Sequence, residues 1–323
     1  MSEAMLVPGF EEGGAGIEGT SMRYLVGGSG PPLVLVHGLG GSATNWNLLA
    51  PLLARRRRVL VPDLPGHGRS DPAPAPDGLG SLADCVAALA ELEGMLPAAF
   101  AGHSMGCEVA LRVAARRPEA VSALVLVSAG GLASARPAAR TWVGLNTALR
   151  PSRVASRFRH QVVRSAALRW AVFGWWGVED SRALSPEAVL GFLDGPAHAR
   201  DTRTAGKALI RADTRADLDR VRRPSLVVWG ARDRLTPLAD GFEYARRLGA
   251  PLRTIPGAGH LVISERPAEL AALVEEFLDG VREVDELPRE PEALGEPRGE
   301  RLDAEGLGGV VPAGDEVDPE LER

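Results

Sequence analysis

The sequence predicts an α/β fold in which a mostly parallel central sheet is flanked by helices and carries an inserted helical cap. Three observations predict it: short apolar runs recur along the chain, helical segments alternate with them, and one interval is far longer than a single crossover requires. Because the runs are continuously apolar, we expect strands that are covered on both faces, as in parallel sheets. The predicted strands are Tyr24–Val26, Leu33–Val36, Val59–Val61, Ala98–Ala101, Leu124–Val127, Leu226–Trp229 and Leu252–Ile255.

Helix-forming segments lie between these strands. The predicted helices are Leu48–Ala54, Leu82–Leu96, Met105–Arg116 and Ala268–Leu278. Met105–Arg116 contains several alanines, and Arg117 and Pro118 follow its last residue. Cationic residues in a last turn followed by a proline are typical of a helix terminus.

The long interval separates Val127 from Leu226 by 98 residues. Its apolar spacing and the proline that opens a segment at Pro186 indicate helices, so we interpret residues 131–223 as a cap inserted into the sheet domain. The predicted organisation is an N-terminal extension (1–21), a core (22–130 and 224–280), the cap (131–223) and an acidic tail (281–323). The tail holds 14 acidic and 5 basic residues, a composition that favours disorder.

The composition narrows the class of protein. No run approaches the roughly 18 apolar residues of a membrane span, and the first ten residues lack the basic start of a signal peptide. Cys85 and Cys107 are too few for a disulfide framework, so we expect a soluble cytoplasmic protein without a membrane partner.

Only Lys207 among the 37 basic residues is a lysine. We attribute the arginine runs to this bias and expect no nucleic-acid partner; nothing indicates an oligomeric state.

A glycine-flanked serine is the strongest chemical signal. Gly102, Ser104 and Gly106 form a G-x-S-x-G pattern between a predicted strand and a predicted helix. This is the context of a nucleophile elbow, where a sharp turn presents the serine hydroxyl. A serine hydroxyl is a weak nucleophile and needs a base to accept its proton.

The base and its carboxylate partner can be found by elimination. In a fold with this elbow the chain order is serine, acid, histidine. Among the histidines only His260 follows the last strand, since the others precede the serine or fall in the predicted cap. Asp233 follows the strand that ends at Trp229, and the carboxyl edge of such a sheet is where ligands bind. We therefore predict Ser104, Asp233 and His260 as the catalytic residues.

A tetrahedral oxyanion also needs fixed donors. We predict the backbone amides of Met105, directly after the serine, and of Leu39, in the loop after an early strand. No metal-binding constellation or cofactor motif is visible in the sequence.

Five motifs follow one another in order: VLVHGLGGSATNW, VPDLPGHGRSD, AGHSMG, VVWGARDRLTP and GAGHLVISERP. Together they resemble the α/β-hydrolase superfamily, in its capped esterase and haloperoxidase-like branch, over residues 22–131 and 223–280. The resemblance implies the same catalytic and oxyanion roles for the residues reached above. Ser104 distinguishes the chain from dehalogenase and epoxide-hydrolase relatives, which carry an aspartate there.

The expected activity is hydrolysis of carboxylic esters of small, largely apolar substrates through an acyl-enzyme. Trp170, Phe173, Trp175 and Trp176 are candidates for a substrate pocket, although packing between cap and core explains them equally well. Alternatives that use the same residues are a carbon–carbon bond hydrolase of ring-cleavage products and a cofactor-free perhydrolase or haloperoxidase. A peptidase that recognises an amine through Glu179 and Asp180, and a non-catalytic small-molecule receptor, are less favoured.

Overall fold

The computed structural model describes residues 7–73, 78–132 and 137–286, and an eight-stranded sheet forms its centre. The strands are β1 (Phe10–Ile17), β2 (Thr20–Gly27), β3 (Pro32–Val36), β4 (Arg58–Pro62), β5 (Ala98–His103), β6 (Val121–Val127), β7 (Ser225–Gly230) and β8 (Leu252–Ile255). Their order in the sheet is β1-β2-β4-β3-β5-β6-β7-β8. The β1–β2 and β2–β4 pairs are antiparallel, and every other pair is parallel. The predicted mostly parallel sheet flanked by helices is confirmed.

The helices alternate with the strands along the chain. They are α1 (Ala50–Leu53), α2 (Gly78–Leu92), α3 (Met105–Arg116), α4 (Pro137–Leu149), α5 (Pro151–Arg157), α6 (Arg159–Arg164), α7 (Ala166–Arg169), α8 (Pro186–His198), α9 (Thr202–Arg211), α10 (Arg215–Leu218), α11 (Leu238–Leu248), α12 (Val262–Glu265) and α13 (Pro267–Glu286). Short 3₁₀ turns occur at Ala43–Trp46 and Pro118–Ala120, and a π-helical turn at Trp170–Gly174. Within the described ranges, none of these helices combines the length and apolarity needed to cross a bilayer.

Both faces of the sheet are buried, which explains the continuous apolar runs. Along β3, Val34 and Val36 pack in one cluster with side chains of α2 and α3. Leu33 and Leu35 alternate with them and pack in a second cluster with side chains of α1 and α13. Each fully buried Val or Leu contributes about 1.5–3 kcal/mol relative to an exposed one, so the strand sequence itself selects a sheet covered on two sides.

The N-terminal boundary predicted from the sequence is wrong. Residues 1–21 were expected to precede the core, yet β1 pairs along its whole length with β2, from Phe10 opposite Gly27 to Ile17 opposite Thr20. Glu18 and Gly19 join the strands with φ of 48° and 77°, the left-handed values that suit a two-residue hairpin turn. An apolar run does not mark β1, because only the end residues of this edge strand, Phe10 and Ile17, are buried and three of the six between them are glycines.

Between β6 and β7 the described residues form only helices and turns, from α4 to α10. A separate apolar cluster, which includes Val162, Phe173 and Val189, lies among them. We call residues 137–223 the helical insertion. The predicted tail begins too early at 281, because α13 continues to Glu286; the rest of the predicted tail, 287–323, lies outside the described residues.

The sheet order determines where a site can form. From β3 the chain moves to β4 on one side and then returns to β5 on the other side of β3. The loops that leave the carboxyl ends of β3 and β5 therefore diverge, and a crevice opens between them. Gly38 and Leu39 follow β3, and Ser104 follows β5.

Candidate active site

Ser104 is the only residue between β5 and α3, and its backbone is strained. Its φ is 54° and its ψ is −120°, a region in which a residue with a side chain costs on the order of 1–3 kcal/mol. Backbone hydrogen bonds hold it there: its N–H donates to the Val127 carbonyl at 3.0 Å, and its carbonyl accepts from Cys107 at 3.1 Å and Gly130 at 3.2 Å. Strain that the surroundings enforce in this way is typical of functional residues.

The flanking glycines allow close backbone approach. A Cβ at Gly102 would lie well under 3.0 Å from the backbone of Cys107, and one at Gly106 would lie equally close to the Val36 carbonyl oxygen. Gly106 therefore lets α3 pack directly against the end of β3. This packing explains why the G-x-S-x-G pattern needs glycine at both positions.

The structure brings two of the predicted catalytic side chains into contact. The Nδ1 atom of His260 lies 2.9 Å from Oδ2 of Asp233. The His260 side chain is 2% exposed and that of Asp233 is 0% exposed. Asp233 lies in the loop after β7 and His260 in the loop after β8, so two adjacent parallel strands deliver the pair to the same edge.

Asp233 is held as a carboxylate. Its Oδ1 accepts backbone N–H bonds from Leu235 at 2.9 Å and Thr236 at 2.8 Å, and its Oδ2 accepts the Thr236 hydroxyl at 2.7 Å. Burial alone would raise the pKa of Asp233, but the facing His260 and the Thr236 hydrogen bonds outweigh it, so the pKa lies below its ordinary value. The Thr236 hydroxyl also lies 3.2 Å from His260 Nδ1.

Glu265 fixes the loop that carries His260. Its two carboxyl oxygens accept the N–H groups of Gly259 and Glu179, both at 2.8 Å. The Leu261 N–H donates to Gly177 at 2.8 Å, so the loop is bound to the helical insertion at two points. Burial raises the pKa of the Glu265 carboxyl to about 7.

Two buried histidines support the site as neutral hydrogen-bonding groups. His103 Nε2 lies 2.9 Å from the His260 carbonyl, which fixes Nε2 as the protonated donor. His37 accepts the Leu64 N–H at Nε2 and donates from Nδ1 to the Gly38 carbonyl at 2.8 Å. Burial lowers the pKa of each histidine to about 3, so neither ring carries a charge near neutral pH.

The predicted oxyanion loop lies close to Ser104. A Cβ added at Gly38 would come within 3.1 Å of the Ser104 Cβ. Asp63 braces the far end of this loop, since its carboxylate accepts the Ala43 N–H at 2.7 Å. Among the described residues, no acceptor is paired with the Leu39 N–H. Met105 begins α3 directly after Ser104.

A cavity of about 260 Å³ opens at this edge, and Leu39, Ser104 and His260 line it. Phe173, Trp175 and Trp176 line it as well. Trp176 lies beside the catalytic candidate, with its ring centroid 6.4 Å from that of His260. Within the described ranges, no group of three or more His, Cys, Asp or Glu side chains could hold a metal ion.

Trp170 is a correction to the predicted pocket. It is 61% exposed and is not among the described residues that line the cavity. Its ring lies over Gly174, where a Cβ would clash with it, so the indole packs along its own π-helical turn. Four aromatic residues in one short segment cannot all face the same side of a helix.

The Ser104 hydroxyl makes no hydrogen bond within the described part of the chain, to His260 or to any other side chain. The structure thus places Ser104 and His260 in one cavity and joins His260 to Asp233. Hydrogen bonds of a catalytic serine are often long without substrate and tighten in the complex.

A buried network lies behind the elbow. The Glu108 carboxylate, on α3, accepts the Tyr244 hydroxyl at 2.6 Å, the Thr214 hydroxyl at 2.5 Å and an Arg112 N–H at 2.8 Å. Tyr244 OH also lies 2.5 Å from the Gly130 carbonyl, and the Gly130 N–H binds Ser104. These contacts connect the helical insertion and α11 to the backbone of the elbow.

Comparison with known proteins agrees with this architecture. Residues 31–267 match the α/β hydrolase fold family. The chain belongs to this family. A pimeloyl-(acyl-carrier protein) methyl ester esterase from Methylococcus capsulatus is 34% identical over 255 residues, which cover 78% of this chain and 96% of that protein. The acetyltransferase component of an acetoin cleaving system from Pseudomonas putida is 31% identical over 82% of this chain and 68% of its own.

Among solved structures, the enol-lactonase from Burkholderia xenovorans superposes on this α/β hydrolase with a TM-score of 0.66. It is 26% identical and covers 83% of this chain and 100% of its own. Because the family and its esterase-like members match most of the chain, the protein is a hydrolase.

Thr236, Glu265 and Tyr244 are site residues that sequence reasoning missed. Thr236 had a local signal, since a threonine three residues after an aspartate in a turn commonly hydrogen-bonds to it. Glu265 and Tyr244 had none, because their partners lie on other elements of the chain.

Proposed function

We propose that this hydrolase cleaves carboxylic esters of small, largely apolar substrates through a Ser104–His260–Asp233 triad and an acyl-enzyme. The observation that carries the proposal is the buried His260–Asp233 hydrogen bond at the edge of the cavity where the strained elbow presents Ser104. A base oriented by a carboxylate, next to an exposed serine, is the arrangement that activates a hydroxyl for acyl transfer.

The His260–Asp233 geometry determines how the proton moves. Because Nδ1 donates to Asp233, the neutral imidazole has its lone pair on Nε2, which accepts the proton from the Ser104 hydroxyl as the oxygen attacks the ester carbonyl. The resulting imidazolium is stabilised by the carboxylate. It then returns the proton to the alcohol as the acyl–oxygen bond breaks, and water repeats the sequence to release the acid.

The oxyanion requires donors that are already oriented. In this proposal they are the amides of Leu39 and Met105, each worth about 3 kcal/mol in the transition state. The unpaired Leu39 N–H and the closeness of Gly38 to Ser104 support this assignment. His37 and Asp63 hold the loop and prevent the donors from turning away.

The aromatic wall supports an apolar substrate. Phe173, Trp175 and Trp176 line the cavity, and its volume of about 260 Å³ suits a small ester. The names of two similar proteins, a methyl ester esterase and an enol-lactonase, agree with ester chemistry. We take the helical insertion to be the cap that covers the site.

Labelling with a fluorophosphonate tests the nucleophile. Peptide mass mapping is expected to find the adduct on Ser104, and S104A is expected to lose both the adduct and turnover of p-nitrophenyl esters of graded chain length. S225A is the matched control, because Ser225 begins β7 at the opposite end of the strand from the site. Undiminished hydrolysis by S104A overturns the proposal. Two further assays run beside the esters test the alternatives. Turnover of a ring-cleavage product tests the carbon–carbon bond hydrolase, and a peroxide-dependent assay tests the perhydrolase.

A further inference from the structure

The cavity is lined by two arginine side chains that the proposed ester hydrolysis does not use. They are Arg150 and Arg153, and no aspartate or glutamate is among the described residues that line the cavity. Both arginines come from the junction of α4 and α5, in the helical insertion. An apolar substrate alone gives no reason for two guanidinium groups at the wall of an acyl pocket.

Arg150 is held in an unusual conformation. Its φ of 48° and ψ of 51° lie in the left-handed region, and Pro151 follows it directly. Non-glycine residues rarely adopt this conformation, so the surrounding structure must enforce it. One guanidinium nitrogen donates to the Ala199 carbonyl at 2.8 Å, and Ala199 also lines the cavity. The half-buried side chain is thereby fixed at the cavity wall.

No acidic side chain in the described part of the chain is paired with these arginines. Within the described ranges, neither Arg150 nor Arg153 forms an ion pair. The acid that acts on Arg150 is Asp201, whose carboxylate is occupied in capping α9 through the N–H groups of Arg203 and Thr204. Burial and the charges of Arg153 and Arg203 lower the pKa of the Arg150 guanidinium. Arg150 is half-buried and Arg153 is exposed. An anion that binds between two neighbouring guanidinium groups reduces their mutual repulsion.

We propose that the site selects esters whose acyl chain ends in an anionic group, which Arg150 and Arg153 bind. This inference rests on the proposed ester hydrolysis and specifies its substrate class. The aromatic wall near His260 contacts the methylene chain, and the arginines at the α4–α5 junction receive the charged end. A guanidinium presents paired N–H donors that match the oxygens of a carboxylate or a phosphate, so either group supplies the required chemistry.

Two esters of equal chain length test the selection. These are p-nitrophenyl hexanoate and mono-p-nitrophenyl adipate, which differ in the terminal carboxylate. We expect kcat/KM to favour the adipate ester, and we expect R150Q and R153Q each to lower that preference about tenfold or more, mainly through KM. R150K keeps the charge but loses the paired N–H donors, so we expect it to retain the preference only in part. R157Q is the matched control. Arg157 is the last residue of α5, the helix that contains Arg153; it is exposed and is not among the described residues that line the cavity.

Inhibition and binding assays separate the possible outcomes. The inhibition constants of monomethyl adipate and hexyl phosphate, each compared with that of hexanoate, show whether a carboxylate or a phosphate is the preferred anion. Calorimetric binding of monomethyl adipate to S104A, with and without R150Q or R153Q, tests the arginines without turnover. If neither ester is hydrolysed but binding depends on the arginines, the proposed ester hydrolysis fails, and only the binding of an anionic chain end by Arg150 and Arg153 stands. If R153Q and R150Q both fold, by circular dichroism, and both preference and binding equal those of R157Q, the inference is wrong.

Discussion

The Thr236 hydroxyl offers a sharp test of how the acid of the candidate site is stabilised. The hydroxyl donates to Asp233 Oδ2 at 2.7 Å, and Thr236 as a residue is 5% exposed. Thr236→Val keeps the shape of the side chain and the backbone N–H bond to Oδ1 at 2.8 Å. The substitution therefore removes a hydrogen bond to a buried charge, together with the longer contacts of the hydroxyl with His260 Nδ1 at 3.2 Å and the Ser128 carbonyl at 3.4 Å.

A hydrogen bond to a charged group is worth about 1.5–3 kcal/mol, and we expect Thr236→Val to lower the free energy of unfolding by that amount at pH 7. The loss depends on pH. The pKa of Asp233 in the folded protein lies below its ordinary value, so the carboxylate stabilises the fold above the unfolded pKa, and this contribution is lost as the pH falls. The difference between variant and wild type should therefore shrink below about pH 4.

Urea denaturation at several pH values measures the free energy of unfolding. The kcat of ester hydrolysis measures how much Asp233 still stabilises the His260 imidazolium that the proposed mechanism forms. We expect about a tenfold loss of kcat, because about 1.4 kcal/mol corresponds to a factor of ten. Thr236→Ser keeps the hydroxyl and is the matched control. If Thr236→Val equals Thr236→Ser in stability at pH 7, the hydrogen bond does not stabilise Asp233 and the reasoning is refuted.

Two further perturbations test the elbow and the His260 loop. Gly106→Ala should lower the free energy of unfolding by about 1–3 kcal/mol or more, because its Cβ would overlap the Val36 carbonyl. Gly280 lies within α13 and has nothing within 4 Å of an added Cβ, so Gly280→Ala should raise the free energy of unfolding by about 0.5–1 kcal/mol. Equal urea midpoints for the two variants would contradict the overlap. Burial raises the pKa of Glu265 in the folded protein to about 7, above its unfolded value of 4.5. The protonated carboxyl therefore stabilises the fold below pH 4.5, and this contribution is lost as the pH rises through 7. Glu265→Gln should remove this pH dependence. Between pH 4.5 and 7.5, the free energy of unfolding of the variant should rise relative to that of the wild type by at most about 3 kcal/mol. If the difference between the two unfolding free energies is constant across that range, Glu265 does not titrate there.

The parts of the fold that the sequence predicted are those in which burial leaves a local pattern. β3 to β7 are buried and mostly apolar on both faces, and their runs are visible residue by residue. β8 is shorter and has exposed Arg253 and Thr254 at its centre, so only its two ends follow this pattern. In β1 six of the eight residues, 11–16, are exposed or half-exposed and three of these are glycines, so the same criterion excludes it. The sequence feature that indicates this hairpin is the Glu18–Gly19 turn, and it lies outside the strand itself.

The candidate site divides in the same way. Ser104, Asp233 and His260 each follow a strand whose sequence is recognisable, so chain order was enough to select them. Glu265 could not be selected, because its role comes from two backbone groups that lie 6 and 86 positions away in the sequence.

Arg150 shows why substrate selection is harder to predict than catalysis. In a chain with 37 basic residues and one lysine, an arginine carries no signal of its own. Its position in the cavity depends on a left-handed turn before Pro151 and on a hydrogen bond to Ala199, and neither follows from hydrophobic spacing. Asp201, the acid that could neutralise it, is occupied by the start of α9. The charge of this pocket therefore arises from how three elements of the helical insertion meet, whereas the candidate catalytic groups lie at the ends of the strands.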